Sequence, residues 1–527
     1  MSALALSALA RAVHEAGATH VTEDAPTARV DCRLPAERVA AVADRLGQLG
    51  LEPQLVVAAD TRTASDDFTV RYAFAPPTHR PLVTARVSVA RGETSFPSLA
   101  TRSFAASRFE REIQDLFGLT PVGHPDARRL ALHQFWPADY HPLRGDAAVR
   151  MDFADHGQPF PFRQVEGEGL FEITVGPVHA GIIEPGHFRF SVEGETIVNL
   201  ETRLGFVHKG IEKLFETLPF ARAPELAERI SGDTSVGHRL AFCQALETLA
   251  GCAVPPRAAR LRVVLLELER LYNHVGDVGM ILNDTGYAFA HAHCFRLREE
   301  LLRLNARLTG HRLLRGAIVP GGVSTAVGAA GLTTLAGDVA GVVREFLEVA
   351  ALALDNTMVL ERLQGTGRLT SRTAREMQVV GLIGRASGLD ADARRDAPFA
   401  AYGDTEVRVA VHDGGDVLAR VLVRLDESRE SASLIRTAAA AAGEGATAAP
   451  LGELRGGADA IGLVEGWRGP IWHWVTAAGP TSLARVKVVD PSFRNWPALD
   501  YAVLNNIVPD FPVCNKSFNL SYSGSDL

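Results

Sequence analysis

The spacing of apolar and polar positions changes along the chain. Between about residues 27 and 100, "ARVDCRL", "FTVRYAF" and "LVTARVSVA" alternate the two classes, the two-residue period of strands. Between the first two of these runs, "PAERVAAVADRLGQLG" carries helical spacing, so this part reads as a small α+β domain. The opening "MSALALSALARAVHEAGA" places Arg11, His14 and Glu15 along an apolar run. That predicts an amphipathic helix, and it lacks the basic start of a signal peptide. From about residue 200 helical periodicity dominates. "AARLRVVLLELERLYNHVGDVGMIL" (258–282) is too apolar for a surface helix and predicts a buried one with inward polar groups at Glu267, Glu269, Asn273 and His274. Residues 291–310 and 329–363 read as further long helices. The proline-rich stretch 137–165 suits a domain connection, and low-complexity 437–457 reads as a loop or linker. Short strand-like pieces follow it: "IGLVEGWRG", "IWHWVTAA" and "SLARVKVVD".

Composition narrows the classes. The 527 residues are 46% hydrophobic and 22% charged, as in soluble globular proteins, and suit two to four domains. Net charge is −8 with no basic block, which argues against nucleic acid as a partner. The five cysteines (Cys32, Cys243, Cys252, Cys294, Cys514) show no C-x-x-C spacing, which speaks against a disulfide framework and against a zinc or iron–sulfur site in this chain. A reducing, cytoplasmic setting fits. No run of 18 uncharged apolar residues is present, so no span is expected. The P-loop, G-x-S-x-G and H-E-x-x-H motifs are missing, and "QGTGRL" (364–369) lacks the third glycine of a dinucleotide turn, so direct NAD or ATP binding has no motif behind it.

Three segments concentrate reactive side chains. "GPVHAGIIEPGHFRF" (176–190) holds His179, Glu184 and His187; taken alone it reads as a hairpin turn with solvated histidines. "ERISGDTSVGHRLAF" (228–242) sets Ser231, Asp233, Thr234 and Ser235 before a helix with His238 and Arg239; taken alone it reads as an ordinary N-cap. "PDFPVCNKSFNLSYSGSDL" (509–527) reads as a polar tail, although Phe511, Phe518, Leu520 and Tyr522 suggest packing.

Together with "GFVHKGIEKL" (205–214), "SVGHRLAFCQALE", "ELERLYNHVGDVG", "VPGGV" (319–323), "RASGLDADARRDAPFAAY" (385–402) and "EGWRG" (465–469), these segments resemble the large subunit of membrane-bound nickel–iron hydrogenases of the formate hydrogenlyase type. That family shares ancestry with the 49-kDa quinone-site subunit of respiratory complex I. "RFEREIQDLFGL" (108–119), "GHPDARRL" (123–130) and "HPLRGD" (141–146) resemble the complex I 30-kDa subunit. The resemblance implies an α+β fold: a 30-kDa-like α/β domain over 1–150, then a helix-rich hydrogenase-like domain over 165–527. Pattern and resemblance together place small β sheets near 165–205 and 459–490, with the C-terminal residues buried beside the 229–238 loop.

In the resembling hydrogenases the ligand motifs read R-I-C-G-x-C and D-P-C-x-x-C. In this frame the four cysteine positions hold Ser231, Thr234, Ser521 and Gly524. Nickel and iron are bridged by soft thiolates, whereas hydroxyls are hard and poorly acidic. A nickel–iron centre and hydrogen turnover are therefore not expected, and no cofactor is expected in this chain itself. The hydrogenase family cleaves its C-terminal end during maturation. Here the sequence stops just past the motif, so no processing extension is expected.

The resemblance implies a subunit of a complex-I-like (NADH:quinone oxidoreductase or hydrogenase-4-like) membrane redox complex, with a metal-free cavity for a quinone. Candidate proton donors are His179, Glu184, His187, Asp233, His238 and Asp526, with Glu184 matching the family's proton-gate glutamate. Arg468 matches the arginine over the family's metal and would orient a carbonyl oxygen or an anion. Asp233 in an apolar cleft is expected to have a raised pKa. Implied partners are a small iron–sulfur subunit with a 4Fe-4S cluster, a ferredoxin-like iron–sulfur subunit and antiporter-like membrane subunits. The chain would be peripheral, on the cytoplasmic face of the cell membrane, with membrane contact only through partners. A non-catalytic scaffold subunit and a hydrogenase with unorthodox ligands stand as alternatives.

Overall fold

A computed structural model describes residues 3–65, 67–148, 153–154, 157–179, 183–325 and 327–527. The chain forms two compact units, 1–164 and 165–527.

In the first unit, helix α1 (Ala3–Glu15) precedes strands β1 (Thr19–Asp24) and β2 (Arg29–Arg33), helix α2 (Val39–Gln48), and strands β3 (Glu52–Asp60), β4 (Asp67–Ala75) and β5 (Leu82–Ala90). The sheet order is β1-β2-β5-β4-β3, with β2 and β5 parallel and the other pairs antiparallel. The alternating runs are therefore strands, although β4 is buried on both faces, with Thr69 and Arg71 included. Helix α3 (Phe104–Phe117) begins where the Ser103 side chain accepts from Ala106 N. It ends at Gly118, where φ is 71° and a Cβ would lie 2.4 Å from His141 Nε2, so only glycine fits.

The second unit opens with a three-stranded antiparallel sheet, β6 (Leu170–Val175), β7 (His187–Glu193) and β8 (Thr196–Arg203), ordered β8-β7-β6. Helices α4 (Ser235–Ala250), α5 (Pro256–Asp284), α6 (Ala288–Thr309), α7 (Ala329–Leu354) and α8 (Val417–Ala441) follow. Helix α5 is buried around its circumference along most of its length, as its all-round apolar pattern predicts, and it keeps Glu267, Glu269, Arg270 and His274 fully inside. Two expectations are corrected. The helix expected over 329–363 breaks at Asp355–Asn356, because the Asn356 side chain accepts from Met358 N and Val359 N and starts a new helix, Thr357–Leu363. The stretch expected to be a loop from 437 is helical through Ala441, since its alanine run continues α8.

A second antiparallel sheet, β9 (Asp459–Glu465), β10 (Pro470–Gly479) and β11 (Ser482–Val489), leads to helices α9 (Pro491–Ala502), α10 (Phe511–Phe518) and α11 (Tyr522–Asp526). The end of the chain is packed, not frayed. Leu527 is 4% exposed, and its carbonyl accepts from Lys209 N at 2.8 Å and Ile211 N at 3.2 Å. Among the described residues no helix is long and apolar enough to cross a membrane.

Candidate functional site

The 228–242 loop runs into α4 without capping itself. Thr234 stands at the N-cap but makes no side-chain cap bond. The cap comes from another helix: Glu269 of α5 accepts from Val236 N at 2.6 Å and Gly237 N at 2.9 Å. Gly237 permits this approach, since a Cβ there would meet Ile471 at 2.8 Å. Burial pushes the Glu269 carboxyl up to about 8, against the two N–H groups that favour its charged form. Two further α5 side chains hold the same loop, as Tyr272 Oη and Asn273 Nδ2 donate to the Asp233 carbonyl at 3.2 and 2.8 Å.

Arg468, in the turn after β9, clamps the Asp233 side chain in a bidentate pair, Nη1–Oδ1 2.8 Å and Nη2–Oδ2 2.7 Å. Its Nε donates to Asn519 O at 2.6 Å, and its guanidinium lies 3.8 Å from the centroid of the Trp467 ring. Trp467 Nε1 donates to Thr234 Oγ1 at 3.1 Å and to Asp233 O at 3.2 Å. The expectation of a raised Asp233 pKa is corrected. Burial does act upward, but the Arg468 charge, with hydrogen bonds from Arg468, Ser231 and Thr234, overcomes it and holds the carboxyl at about 2. Asp233 is therefore a fixed anion near neutral pH, not an acid.

The four degenerate ligand positions converge on this clamp. Ser231 Oγ lies 2.8 Å from Ser521 Oγ and donates to Asp233 Oδ1 at 3.0 Å. Thr234 Oγ1 donates to the same oxygen at 3.0 Å. Ser521 Oγ accepts from Gly524 N at 2.8 Å and so caps the terminal helix. At Gly524 a Cβ would fall 2.7 Å from Asp490 Cγ and 3.0 Å from Ser521 Oγ. Three hydroxyls occupied in hydrogen bonds and one position without room for a side chain do not fit a bridged nickel–iron centre.

The remaining predicted residues separate into those near this wall and those behind it. Glu184 joins it, since its Oε2 accepts from Ser523 N at 2.9 Å. His179 Nε2 pairs with Gly186 O at 2.8 Å, its ring 5.7 Å from that of Phe188, and His187 follows at the start of β7. Burial pulls the His187 pKa down. The intervening residues 180–182 lie outside the described residues. Asp526 is a holder of the 205–208 turn, its Oδ2 accepting from Gly205 N at 2.9 Å and Val207 N at 3.1 Å. His238 is fully buried behind the wall, with Nε2 3.0 Å from Asp490 Oδ2 and Nδ1 3.2 Å from His473 Nε2.

Sequence reasoning passed over Asp490, His473 and Trp467 and did not anticipate the capping role of Glu269. The available signals were slight: a lone histidine inside the apolar strand "PIWHWV", and an aspartate before Pro491 that reads as a helix cap.

Two family descriptions match: respiratory-chain NADH dehydrogenase 30 Kd subunit over residues 32–152, and its 49 Kd subunit over residues 284–455. Formate hydrogenlyase subunit 5 of Escherichia coli (strain K12) is 33% identical over 464 residues, spanning 84% of this chain and 79% of the relative. The C/D fusion protein of the NADH-quinone oxidoreductase of Phocaeicola vulgatus is 30% identical over 384 residues, spanning 68% and 72%. A solved structure of the membrane-bound sulfane sulfur reductase, an archaeal respiratory membrane complex, shares the fold, with a TM-score of 0.64 at 24% identity over 68% of this chain and 99% of that one.

Proposed function

The chain belongs to the complex I-like family of oxidoreductase-complex subunits that join 30-kDa and 49-kDa modules, and we propose that it forms a metal-free, quinone-type redox cavity in a membrane-associated complex. The observation that carries this reading is the Ser231–Ser521 hydroxyl pair beside the Arg468–Asp233 clamp, where the resembling hydrogenases hold thiolates. Such a wall presents hard hydrogen-bonding groups, suited to the oxygens of an organic carrier. Among the described residues, four of the five guanidinium N–H groups of Arg468 have acceptors: Asn519 O, Thr234 Oγ1 and the two Asp233 oxygens. The fifth, on Nη2, is the donor for a substrate carbonyl.

Asp233 keeps Arg468 oriented and cannot supply the proton. Glu184, half-buried and adjoining the Ser521–Ser523 segment, is the acid of this reading, with His179 and His187 as its neighbours. Electrons come from outside this chain, whose five cysteines are dispersed and free. A small iron–sulfur subunit with a 4Fe-4S cluster therefore lies beside the cavity, a ferredoxin-like subunit feeds it, and antiporter-like subunits anchor the assembly. The chain is peripheral, on the cytoplasmic face.

The test is quinone-dependent turnover of the purified complex. Glu184→Gln should lower it by about 10²-fold, the scale of a lost general acid. A complex that reduces no quinone and is indifferent to Glu184→Gln supports a scaffold subunit instead. Stoichiometric nickel in the purified protein overturns the metal-free cavity.

A further inference from the structure

Behind the Arg468 turn lies a second charged assembly that the proposed chemistry does not use. Arg385 Nη1 sits 2.8 Å from Glu465 Oε1 and 3.6 Å from Asp392 Oδ2, while its Nε donates to Glu427 Oε1 at 2.9 Å. Arg394 binds Asp392 through Nη2–Oδ2 at 2.7 Å and Glu267 through Nη1–Oε1 at 3.1 Å. Arg270 reaches Glu267 and Glu427, each at 3.2 Å. Every one of these side chains is 0–1% exposed.

The charges do not balance. Three guanidinium groups (Arg270, Arg385, Arg394) face four carboxylates (Glu267, Asp392, Glu427, Glu465). His274 Nε2 lies 2.8 Å from Glu427 Oε2, and burial lowers its pKa, so it is neutral near pH 7. Its fully buried Nδ1 has no hydrogen-bond partner among the described residues. Tyr402 and Ser431 donate to Glu267, and the neighbouring Arg424–Asp277 pair is balanced within itself. The assembly with all four acids ionised would thus carry one net negative charge out of contact with water, which is costly.

We infer that this assembly holds one exchangeable proton, carried by Glu465 where it and Asp392 share Arg385, and that the proton sets the charge behind the loop bearing Trp467 and Arg468. Glu465 is the acid that geometry singles out. Its side chain meets half of one guanidinium and the Ala393 N–H at 3.1 Å, while the other three acids each hold contacts to two arginines. Burial and then the Asp392 charge push its carboxyl up, and Arg385 opposes this. Glu267, Glu427 and Asp392 are held low despite burial by their arginines. The link to the cavity is short. Arg270 donates to Glu465 O at 2.8 Å and to Gly466 O at 3.2 Å, the His274 and Trp467 rings are 6.2 Å apart, and Trp467 donates to the 233–234 turn. A net negative charge behind that turn opposes the arrival of electrons in the cavity, so the loaded, neutral form is the competent one.

The functional consequence rests on the proposed redox reading, whereas the proton itself does not, and the experiment separates them. Infrared difference spectra of the purified full chain between about pH 5 and about pH 9 should contain a protonated-carboxyl band titrating well above the ordinary glutamate value of about 4.3. Glu465→Gln should remove it. Asp392→Asn, which balances the assembly at three against three, should move that titration down to the ordinary carboxyl range and serves if the first variant does not fold. Spectra of folded Glu465→Gln or Asp392→Asn identical to wild type in this band overturn the inference, whatever the complex reduces. In the assembled complex, turnover should fall about tenfold per pH unit above that titration and stay within about twofold in Glu465→Gln. An equally steep fall in the variant overturns the coupling to the cavity.

Discussion

Both units bury carboxylates, but they use them differently. In the first unit, Glu110 of α3 is fully buried, with no arginine contact among the described residues; it accepts from Ser98 Oγ and Leu99 N, and burial pushes it up to about 7. Asp115, one turn on, gathers Leu130 N, Ala131 N and Leu132 N at 2.9, 2.8 and 3.2 Å through one oxygen. These acids fasten loops. In the second unit the buried acids pair with arginines drawn from α5 and the 385–394 segment, and the network reaches the turn that carries Arg468. A carboxylate that pins backbone N–H groups explains itself as architecture. A fully buried ionic network with unequal charges does not, and that difference marks the second unit as the place for charge-coupled chemistry.

The comparison can be broken or sharpened in order of expected effect. Arg385→Met should cost about 3–5 kcal/mol in urea unfolding, because it strands Glu427, Asp392 and Glu465 together. A loss below about 1 kcal/mol would make the network no different from surface pairs. Asp115→Ala should cost about 2–3 kcal/mol by leaving three N–H groups without their acceptor, with the change confined to the first unit in hydrogen exchange. Gly524→Cys should cost about 1–3 kcal/mol through overpacking against Asp490 and recover no nickel. Unchanged stability with bound nickel would instead show that the wall can still accept a thiolate.

The smallest effect is a pH dependence at Asp233, whose side chain is 36% exposed, so that solvent screens its pair with Arg468. The folded pKa of about 2 lies below the ordinary 3.8. Its stabilisation is therefore present above about pH 3.8 and lost as pH falls through about 2. After the screening discount it should amount to less than about 1 kcal/mol. Comparing wild type with Asp233→Asn across that window measures it, and a stability difference that grows as pH falls reverses the sign.

Much of the fold was legible. The two-residue period of "FTVRYAF" and the all-round apolarity of 258–282 are local properties, and both elements formed as expected. The missed helix break at Asn356 was also local, a side-chain cap inside an otherwise helical pattern. The site was legible only in part. Ser231, Thr234, Ser521 and Gly524 could be aligned because the motif frame is short and rigid. Glu269 and Asp490 could not be placed, since an acid 33 residues beyond the helix start it caps, or 252 beyond the histidine it binds, leaves no periodic trace.

By itself the sequence determined the element types and the replacement of soft sulfur donors, because both depend on residue identity and near spacing. Only the tertiary structure decided which acids are charged. Protonation depends on the sum of burial and opposing charge at a point in space, and that sum is supplied by residues far apart along the chain. Asp233 shows this plainly: the same cleft that would neutralise it alone keeps it ionised once Arg468, 235 residues away, closes on it.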